Sequence, residues 1–165
     1  MNRIEKVREY VDTVLLHISD TTERRCGYLH LYGVSQACAL IALKRKENVE
    51  LATIAGMLHD IYFYSTMDSK DHAHKGSVMA REILTSLKNF AEEEIEMICS
   101  AIYNHSSKGS KHPSFDEVLI DADVLQHCLY NLLYDIAEHE KQRYENLKLE
   151  FGLPHKYQVA YKENI

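Results

Sequence analysis

The residues from Val49 to Ile61 constrain the fold more than any other stretch, because they are apolar or small almost throughout and read VELATIAGMLHDI. A segment that is apolar on all sides is typical of a buried helix. This helix carries two adjacent polar residues, His59 and Asp60, into the interior at its far end. Burying an imidazole and a carboxylate without partners is costly, so we expect them to pair with other polar side chains or with a metal ion.

The rest of the chain predicts further helices around this segment. Only 2 Pro and 6 Gly occur in 165 residues, a composition that favours helices joined by short loops. We predict an all-α fold, with residues 1–165 forming a single compact domain of about seven helices. No apolar run approaches the roughly 20 residues that cross a bilayer, and none resembles a signal peptide. We therefore expect a soluble cytoplasmic protein without a membrane partner.

The charge of the chain limits the class of ligand. A formal net charge of -6 argues against a groove for long nucleic acids, which needs a basic stripe. A small anionic substrate held by a few local cations is compatible with it. The loop at 106–113 supplies Lys108 and Lys111, which we predict to be mobile donors to a phosphate group.

Histidines recur on apolar helical stripes. In a helix predicted for 28–44, His30 is in line with Val34 and Ile41, and His105 closes the apolar stripe of a helix predicted for 89–104. In the helix predicted from Asp71 to about Leu87, periodicity selects His72 as inward facing and leaves His74 as the alternative. A histidine is therefore expected near one end of each of four helices, counting the one that ends in His59.

Two aspartates in the next helix are candidates for the same ligand position. Asp121 and Asp123 lie about 200° apart around a helix, so both cannot address one site, and periodicity does not choose between them. The last long helix is predicted for 129–150, with Leu132 and Leu133 buried, and it stops at Gly152. We expect the tail at 155–165 to fray or to lie across a partner subunit in a homodimer.

Together the histidines and aspartates form a set of nitrogen and oxygen ligands from distant segments. A set with imidazole and carboxylate groups but no thiolate suits manganese, iron, magnesium, cobalt, nickel or zinc. A divalent ion lowers the pKa of bound water and polarises a phosphoryl oxygen, as phosphoester hydrolysis requires. The predicted set consists of His30, His59, Asp60, His72, His105 and one of Asp121 or Asp123.

The order of these residues resembles the HD-domain superfamily of metal-dependent phosphohydrolases. The resemblance covers about 25–133 and includes the His59-Asp60 pair and the Asp121-Ala122-Asp123-Val124-Leu125 segment. It implies an all-helical core, and it implies that the aspartate matching the family ligand is Asp123. The family ligands match His30, His59, Asp60 and Asp123.

Members with two ions add histidines where His72 and His105 stand here, and in them the aspartate that matches Asp60 bridges the ions. A basic residue often follows a His-Ser pair in related sequences, which resembles a phosphate contact by Lys108. The Gly-Tyr-Pro motif of cyclic-dinucleotide phosphodiesterases is missing from this sequence, which disfavours that substrate.

The resemblance and the ligand set predict the same activity. We expect a phosphohydrolase with one or two divalent ions that hydrolyses a small phosphoester, a nucleotide above all, through a metal-activated water. Asp60 or the neighbouring His59 would accept the proton. One alternative is a helical sensing or interaction module that keeps the metal site without turnover. Another is oxidation chemistry at an iron centre in the same fold.

Overall fold

Eight helices make up the part of the chain that the computed structural model describes, residues 2–154. No strand occurs in this range, so the all-α prediction is confirmed. The predicted tail at 155–165 lies outside the described residues. The helices are α1 (Arg3–Leu16), α2 (Thr21–Arg45), α3 (Val49–Leu58), α4 (Ile61–Thr66), α5 (His72–Leu87), α6 (Glu92–Asn104), α7 (Ser114–Tyr130) and α8 (Glu138–Phe151).

Helix α3 lies at the centre of the core and is surrounded by α1, α2, α6 and α7. Its residues from Leu51 to Leu58 are buried with the exception of Thr53, as the continuous apolar run predicts. The side chain of Asn48 caps its first turn by accepting a hydrogen bond from the Leu51 amide at 3.1 Å. Helix α2, which carries His30, and helix α6, which His105 follows, therefore pack directly against the helix that leads to His59. Helix α5, which carries His72, packs against α4 and α6.

The backbones of α2 and α3 approach closely at Gly56. A Cβ atom at this position would lie 2.6 Å from Ser35 Cα and 2.8 Å from Ser35 N. The Ser35 hydroxyl donates a hydrogen bond to the Thr53 carbonyl at 2.9 Å and closes the same contact. Only glycine fits here, and this contact sets the position of His30 in α2 relative to His59.

Helix α2 is long and apolar enough to cross a membrane by length and composition alone. It packs against α3 and α7, and its buried residues include Leu31, Val34 and Ile41. Core helices of globular proteins pass the same test, and these contacts are those of a core helix.

The start of α2 differs from the prediction. The helix begins at Thr21 and not at Tyr28, because the Asp20 side chain accepts hydrogen bonds from the Thr22 and Glu23 amides at 2.8 and 3.0 Å. The segment at 20–25 is thus a capped helical turn. His30 consequently lies well inside α2 and not near its end.

The end of the central helix also differs from the prediction. Helix α3 ends at Leu58, before the predicted end at Ile61, and the short helix α4 follows the His59-Asp60 pair directly. Asp60 adopts φ -109° and ψ 17°, which interrupts the helical run. His59 and Asp60 therefore lie at the junction between two helices.

Glutamate carboxylates cap the backbone ahead of α6 and α7. Helix α6 begins at Glu92 and not at residue 89, and the carboxylate of Glu94 accepts a hydrogen bond from the Ala91 amide at 2.9 Å. Ahead of α7 the carboxylate of Glu117 accepts from the His112 amide at 2.8 Å and not from the Ser114 amide.

The predicted C-terminal helix at 129–150 is in fact the end of α7, a linker and α8. Asn131 has an extended backbone, and Leu132 and Leu133, which we predicted to be buried, are 46% and 60% exposed. Helix α8 ends at Gly152 with φ +64°, as the sequence predicts. Arg143 ties α8 to α7 through ion pairs with Glu117 and Asp121 at 2.5 and 2.9 Å.

Candidate metal centre

Five segments bring the six residues of the predicted ligand set together around one point. His30 projects from α2, and His59 and Asp60 lie at the junction of α3 and α4. The remaining members are His72, the first residue of α5; His105, which follows α6; and Asp123 in α7.

Three of the imidazoles are oriented in the same way, by the carbonyl of the residue three positions earlier. Each ring donates a hydrogen bond from Nδ1 to that carbonyl, and Nε2 is therefore the nitrogen that carries the free lone pair. Two of these carbonyls belong to the last turns of α3 and α6, and that of Ile102 also accepts the His105 amide at 3.4 Å. The Nδ1 to oxygen distances are 2.8, 3.1 and 2.7 Å for His59, His72 and His105.

The ring of His30, a residue in the middle of α2, is oriented by a side chain. Nδ1 of His30 donates to Oε1 of Gln126 on α7 at 2.9 Å. Its Nε2 lies 3.0 Å from Nε2 of His59, and Nε2 of His72 lies 3.2 Å from Nε2 of His105. Four nitrogen lone pairs thus converge in two pairs.

Asp60 stands between the two pairs of imidazoles. Its Oδ2 lies 3.3 Å from Nε2 of His30 and 3.5 Å from Nε2 of His59. Its Oδ1 lies 3.4 Å from Nε2 of His72 and 3.4 Å from Nε2 of His105. Each carboxylate oxygen therefore faces a different pair of rings.

Asp123 joins the pair formed by His30 and His59. Its Oδ1 lies 3.6 Å from Nε2 of His30 and 3.8 Å from Nε2 of His59. Its Oδ2 accepts from Nζ of Lys108 at 2.8 Å. One oxygen is thus neutralised by the lysine, and the other faces the rings.

Two buried oxygens at this point have no hydrogen-bond partner among the described residues. They are Oδ1 of Asp60 and Oδ1 of Asp123. An unpaired buried carboxylate oxygen is costly, and a cation bound among these oxygens and the Nε2 lone pairs would remove that cost. The donors fit a divalent ion: His30, His59 and Asp60 form one group that could hold it, and Asp60, His72 and His105 form a second.

The electrostatics keep both carboxylates charged. Burial works to raise the pKa of Asp60, but the imidazoles of His59, His105 and His30 hold it well below its ordinary value. Burial also opposes ionisation of Asp123, but the ammonium of Lys108 lowers the pKa of that carboxyl. Both groups are therefore anionic at neutral pH.

The imidazoles respond to burial in different ways. Burial lowers the pKa of His59 to about 4, so that its ring is neutral at pH 7. Burial lowers the pKa of His30 and His105 as well, but the carboxylates of Asp60 and Asp123 together outweigh burial, and the net shift of both pKa values is upward. An ion and a proton therefore compete for these two nitrogens, and metal binding would release protons.

Of the alternatives that the sequence left open, the structure brings one member of each pair to the centre. Asp121 points away and pairs with Arg45 at 2.7 Å and with Arg143 at 2.9 Å. His74 lies on the surface, where it pairs with Asp71 at 2.7 Å and stacks on Tyr103. The members at the centre are Asp123 and His72.

The two lysines of the predicted phosphate loop differ from each other. Lys108 is not a mobile donor: its Nζ contacts Asp123 at 2.8 Å and Glu140 at 2.5 Å, and only 9% of its side chain is exposed. The carbonyl of Lys108 also accepts from Arg143 at 2.7 Å, which fixes the loop to α8. Lys111 is exposed in the same loop.

Sequence reasoning missed three residues next to the centre, namely Gln126, His127 and Glu140. A signal existed for His127, because it follows Asp123 by four residues and so shares its helix face. Gln126 and Glu140 had none, since their roles depend on how α7 and α8 pack in three dimensions.

Replacing Lys108 with methionine should destabilise the metal-free protein. Lys108→Met removes the cation shared by the buried carboxylates of Asp123 and Glu140, so we expect the free energy of unfolding to fall by about 2 kcal/mol. Chemical denaturation in the presence of a chelator measures the effect. Lys111→Met is the matched control, since it removes an exposed lysine from the same loop and should change stability by less than about 0.5 kcal/mol. Equal effects of the two substitutions would contradict the buried ion pair.

Comparison with known proteins agrees with this arrangement. A family model described as HD domain matches residues 27–128. A crystal structure of a predicted HD superfamily hydrolase from an uncultured Thermotogales bacterium is 22% identical in sequence, with a TM-score of 0.57. The similarity covers 90% of this chain and 86% of that chain, and it shows a shared fold. No curated protein matches the sequence.

Proposed function

The chain belongs to the HD-domain family, and from this premise we propose that it is a metal-dependent phosphohydrolase acting on a small phosphoester, in particular a nucleotide. In this proposal His30, His59, Asp60 and Asp123 hold a first divalent ion, and His72 and His105 hold a second one together with Asp60. Metals that suit such a nitrogen and oxygen donor set are manganese, iron, magnesium, cobalt, nickel and zinc.

One observation carries the proposal, and it concerns Asp60. Its two oxygens face two different pairs of imidazoles, and its buried Oδ1 has no hydrogen-bond partner. A structural aspartate in a helical core would be satisfied by donors on both oxygens. A carboxylate shared between two ions requires the arrangement found here.

Bound divalent ions would lower the pKa of a coordinated water molecule and would place positive charge next to the phosphoryl oxygens. The protein's own residues then divide the remaining work. The ionised carboxylate of Asp60 is placed to accept the proton of the attacking water, and the neutral ring of His59 keeps its lone pair free for an ion. Lys108 binds Oδ2 of Asp123, so that Oδ1 is the oxygen of Asp123 that would bind an ion.

The exposure of the rings gives the direction of substrate approach. His59 and His105 are 0% and 2% exposed and form the closed floor of the site. The side chains of His72 and His127 are 29% and 43% exposed and lie at its open side. The Ser106 hydroxyl lies 3.2 Å from Nε2 of His72 at the same rim. We propose that a phosphoryl group enters from this side and that its leaving group remains near solvent.

Metal binding should stabilise the folded chain. At a free ion concentration of 100 times the dissociation constant, one site adds about 2.7 kcal/mol, or about 5–10 °C in melting temperature for a chain of this size. Thermal unfolding with and without Mn²⁺ measures the shift, and a chelator should reverse it. The same melting temperature in both conditions, for all six metals, would contradict the centre.

The activity is tested by reconstitution. Chelator-treated protein should be loaded with each of the six metals and assayed for phosphate release from nucleoside monophosphates, cyclic and linear dinucleotides, and nucleoside polyphosphates. We expect turnover with at least one metal and none with the metal-free protein. Hydrolysis that persists in excess chelator, or bound metal without hydrolysis of any phosphoester, would refute the proposed function.

A further inference from the structure

One histidine at the centre belongs to no ligand set described so far. His127 follows Asp123 by one turn of α7, and its Nε2 lies 3.3 Å from Oδ1 of Asp123. This is the oxygen that is buried and lacks a hydrogen-bond partner. The ring of His127 thus approaches the same electron-rich atom as His30 and His59.

Glu140 orients the ring of His127. Its Oε1 accepts a hydrogen bond from Nδ1 of His127 at 2.9 Å, and the residue is only 4% exposed. A carboxylate at neutral pH accepts and cannot donate, so a neutral His127 ring carries its proton on Nδ1 and its lone pair on Nε2. Histidines that bind metals commonly donate their other nitrogen to a carboxylate in this way.

The geometry relative to His30 is that of two ligands of one ion. The two rings are stacked with centroids 5.2 Å apart and planes 10° from parallel. Their Nε2 atoms lie 3.6 and 3.3 Å from the same oxygen of Asp123. With metal-ligand bonds near 2.1 Å, adjacent ligand atoms lie roughly 3.0–3.4 Å apart. The ligand atoms of His30, Asp123 and His127 also lie within 4.8 Å of one another.

We propose that His127 is an additional ligand of the ion held by His30 and Asp123, and that Glu140 is its positioning residue. The inference rests on the metal centre proposed above and adds to it a residue from the open side of the site. Glu140 lies on α8, beyond residues 27–128, which match the family model. Helix α8 then takes part in metal binding through Glu140.

Metal affinity tests the proposal without any need for turnover. Titration calorimetry of the full chain with Mn²⁺ should show that His127→Ala weakens the tighter binding step by about 10- to 100-fold. His17→Ala is the matched control, because His17 is exposed at the end of α1, where its Nδ1 contacts the Thr13 carbonyl of the same helix at 2.6 Å. It should bind Mn²⁺ as the unchanged protein does, and circular dichroism should show all three proteins folded.

Chemical labelling identifies the atom involved. Diethyl pyrocarbonate acylates a ring nitrogen with a free lone pair, so Mn²⁺ should protect His127 at least tenfold while His17 is labelled at the same rate with and without the ion. Peptide mass spectrometry reports both sites in one sample. Unchanged affinity in His127→Ala together with equal labelling of His127 in both conditions would overturn the proposal. Bound metal without hydrolysis would instead refute the proposed function and leave this inference standing.

Discussion

Asp60→Asn should lower metal-dependent phosphate release by about a thousandfold or more. The carboxylate faces both pairs of imidazoles, so its replacement removes a charge from both proposed ion positions at once. An amide retains one ligand oxygen but is neutral, and its nitrogen cannot bind an ion. A thousandfold lower rate corresponds to the loss of about 4 kcal/mol of charge stabilisation in the transition state. Initial rates at saturating Mn²⁺ and saturating substrate measure it.

The matched control is Asp71→Asn. Asp71 is an aspartate with a histidine partner, His74, but its side chain is 52% exposed on the surface. Its replacement should leave the rate within about a factor of two, because surface changes of this kind cost at most about 0.5 kcal/mol. An Asp60→Asn protein with native circular dichroism and more than a tenth of the original rate would show that Asp60 does not bridge the reacting centre.

Gly56→Ala should destabilise the protein by about 3 kcal/mol, against the usual effect of this substitution. Inside a helix, replacing glycine with alanine ordinarily stabilises by about 0.5–1 kcal/mol. Here the new methyl group would lie 2.6 Å from Ser35 Cα, and backbone atoms cannot turn away as a side chain can. Helices α2 and α3 would have to separate, which strains the core around them. Equilibrium denaturation in urea measures the change in the free energy of unfolding.

The substitution should also weaken metal binding, because α2 carries His30 and the end of α3 carries His59. Gly109→Ala is the control: a Cβ atom there has no neighbour within 4 Å. We expect its stability and its Mn²⁺ affinity to be those of the unchanged protein. A Gly56→Ala protein that is as stable as the Gly109→Ala protein would show that the close approach of α2 and α3 is not as described.

Periodicity was sufficient where a helix has one clear apolar stripe. It selected His72 over His74, and the structure brings His72 to the centre because the stripe through Gly76 and Ala80 packs inward. It could not choose between Asp121 and Asp123, because α7 is buried on nearly all sides and has no single polar face. There the resemblance to the family implied Asp123, the aspartate that the structure brings next to His30 and His59.

The helix ends were harder to predict, since they depend on single hydrogen bonds. Asp20 begins α2 seven residues before the predicted start because its carboxylate caps the first turn. The leucines at 132 and 133 fit an apolar stripe in the sequence, but the extended backbone at Asn131 places them in an exposed linker. The same error hid Glu140, which is buried next to Lys108 and His127 only because α8 is a separate helix that folds back on α7.

The position of the ions is the most direct test of the account. Crystals of the protein grown or soaked with Mn²⁺ should give anomalous difference density at two positions, one among Nε2 of His30, Nε2 of His59 and Oδ1 of Asp123, and one between His72 and His105. Asp60 should contribute one oxygen to each. If the rings and carboxylates instead contact one another directly in the presence of Mn²⁺, with anomalous density elsewhere or nowhere, the residues form a buried polar cluster and the metal centre is refuted.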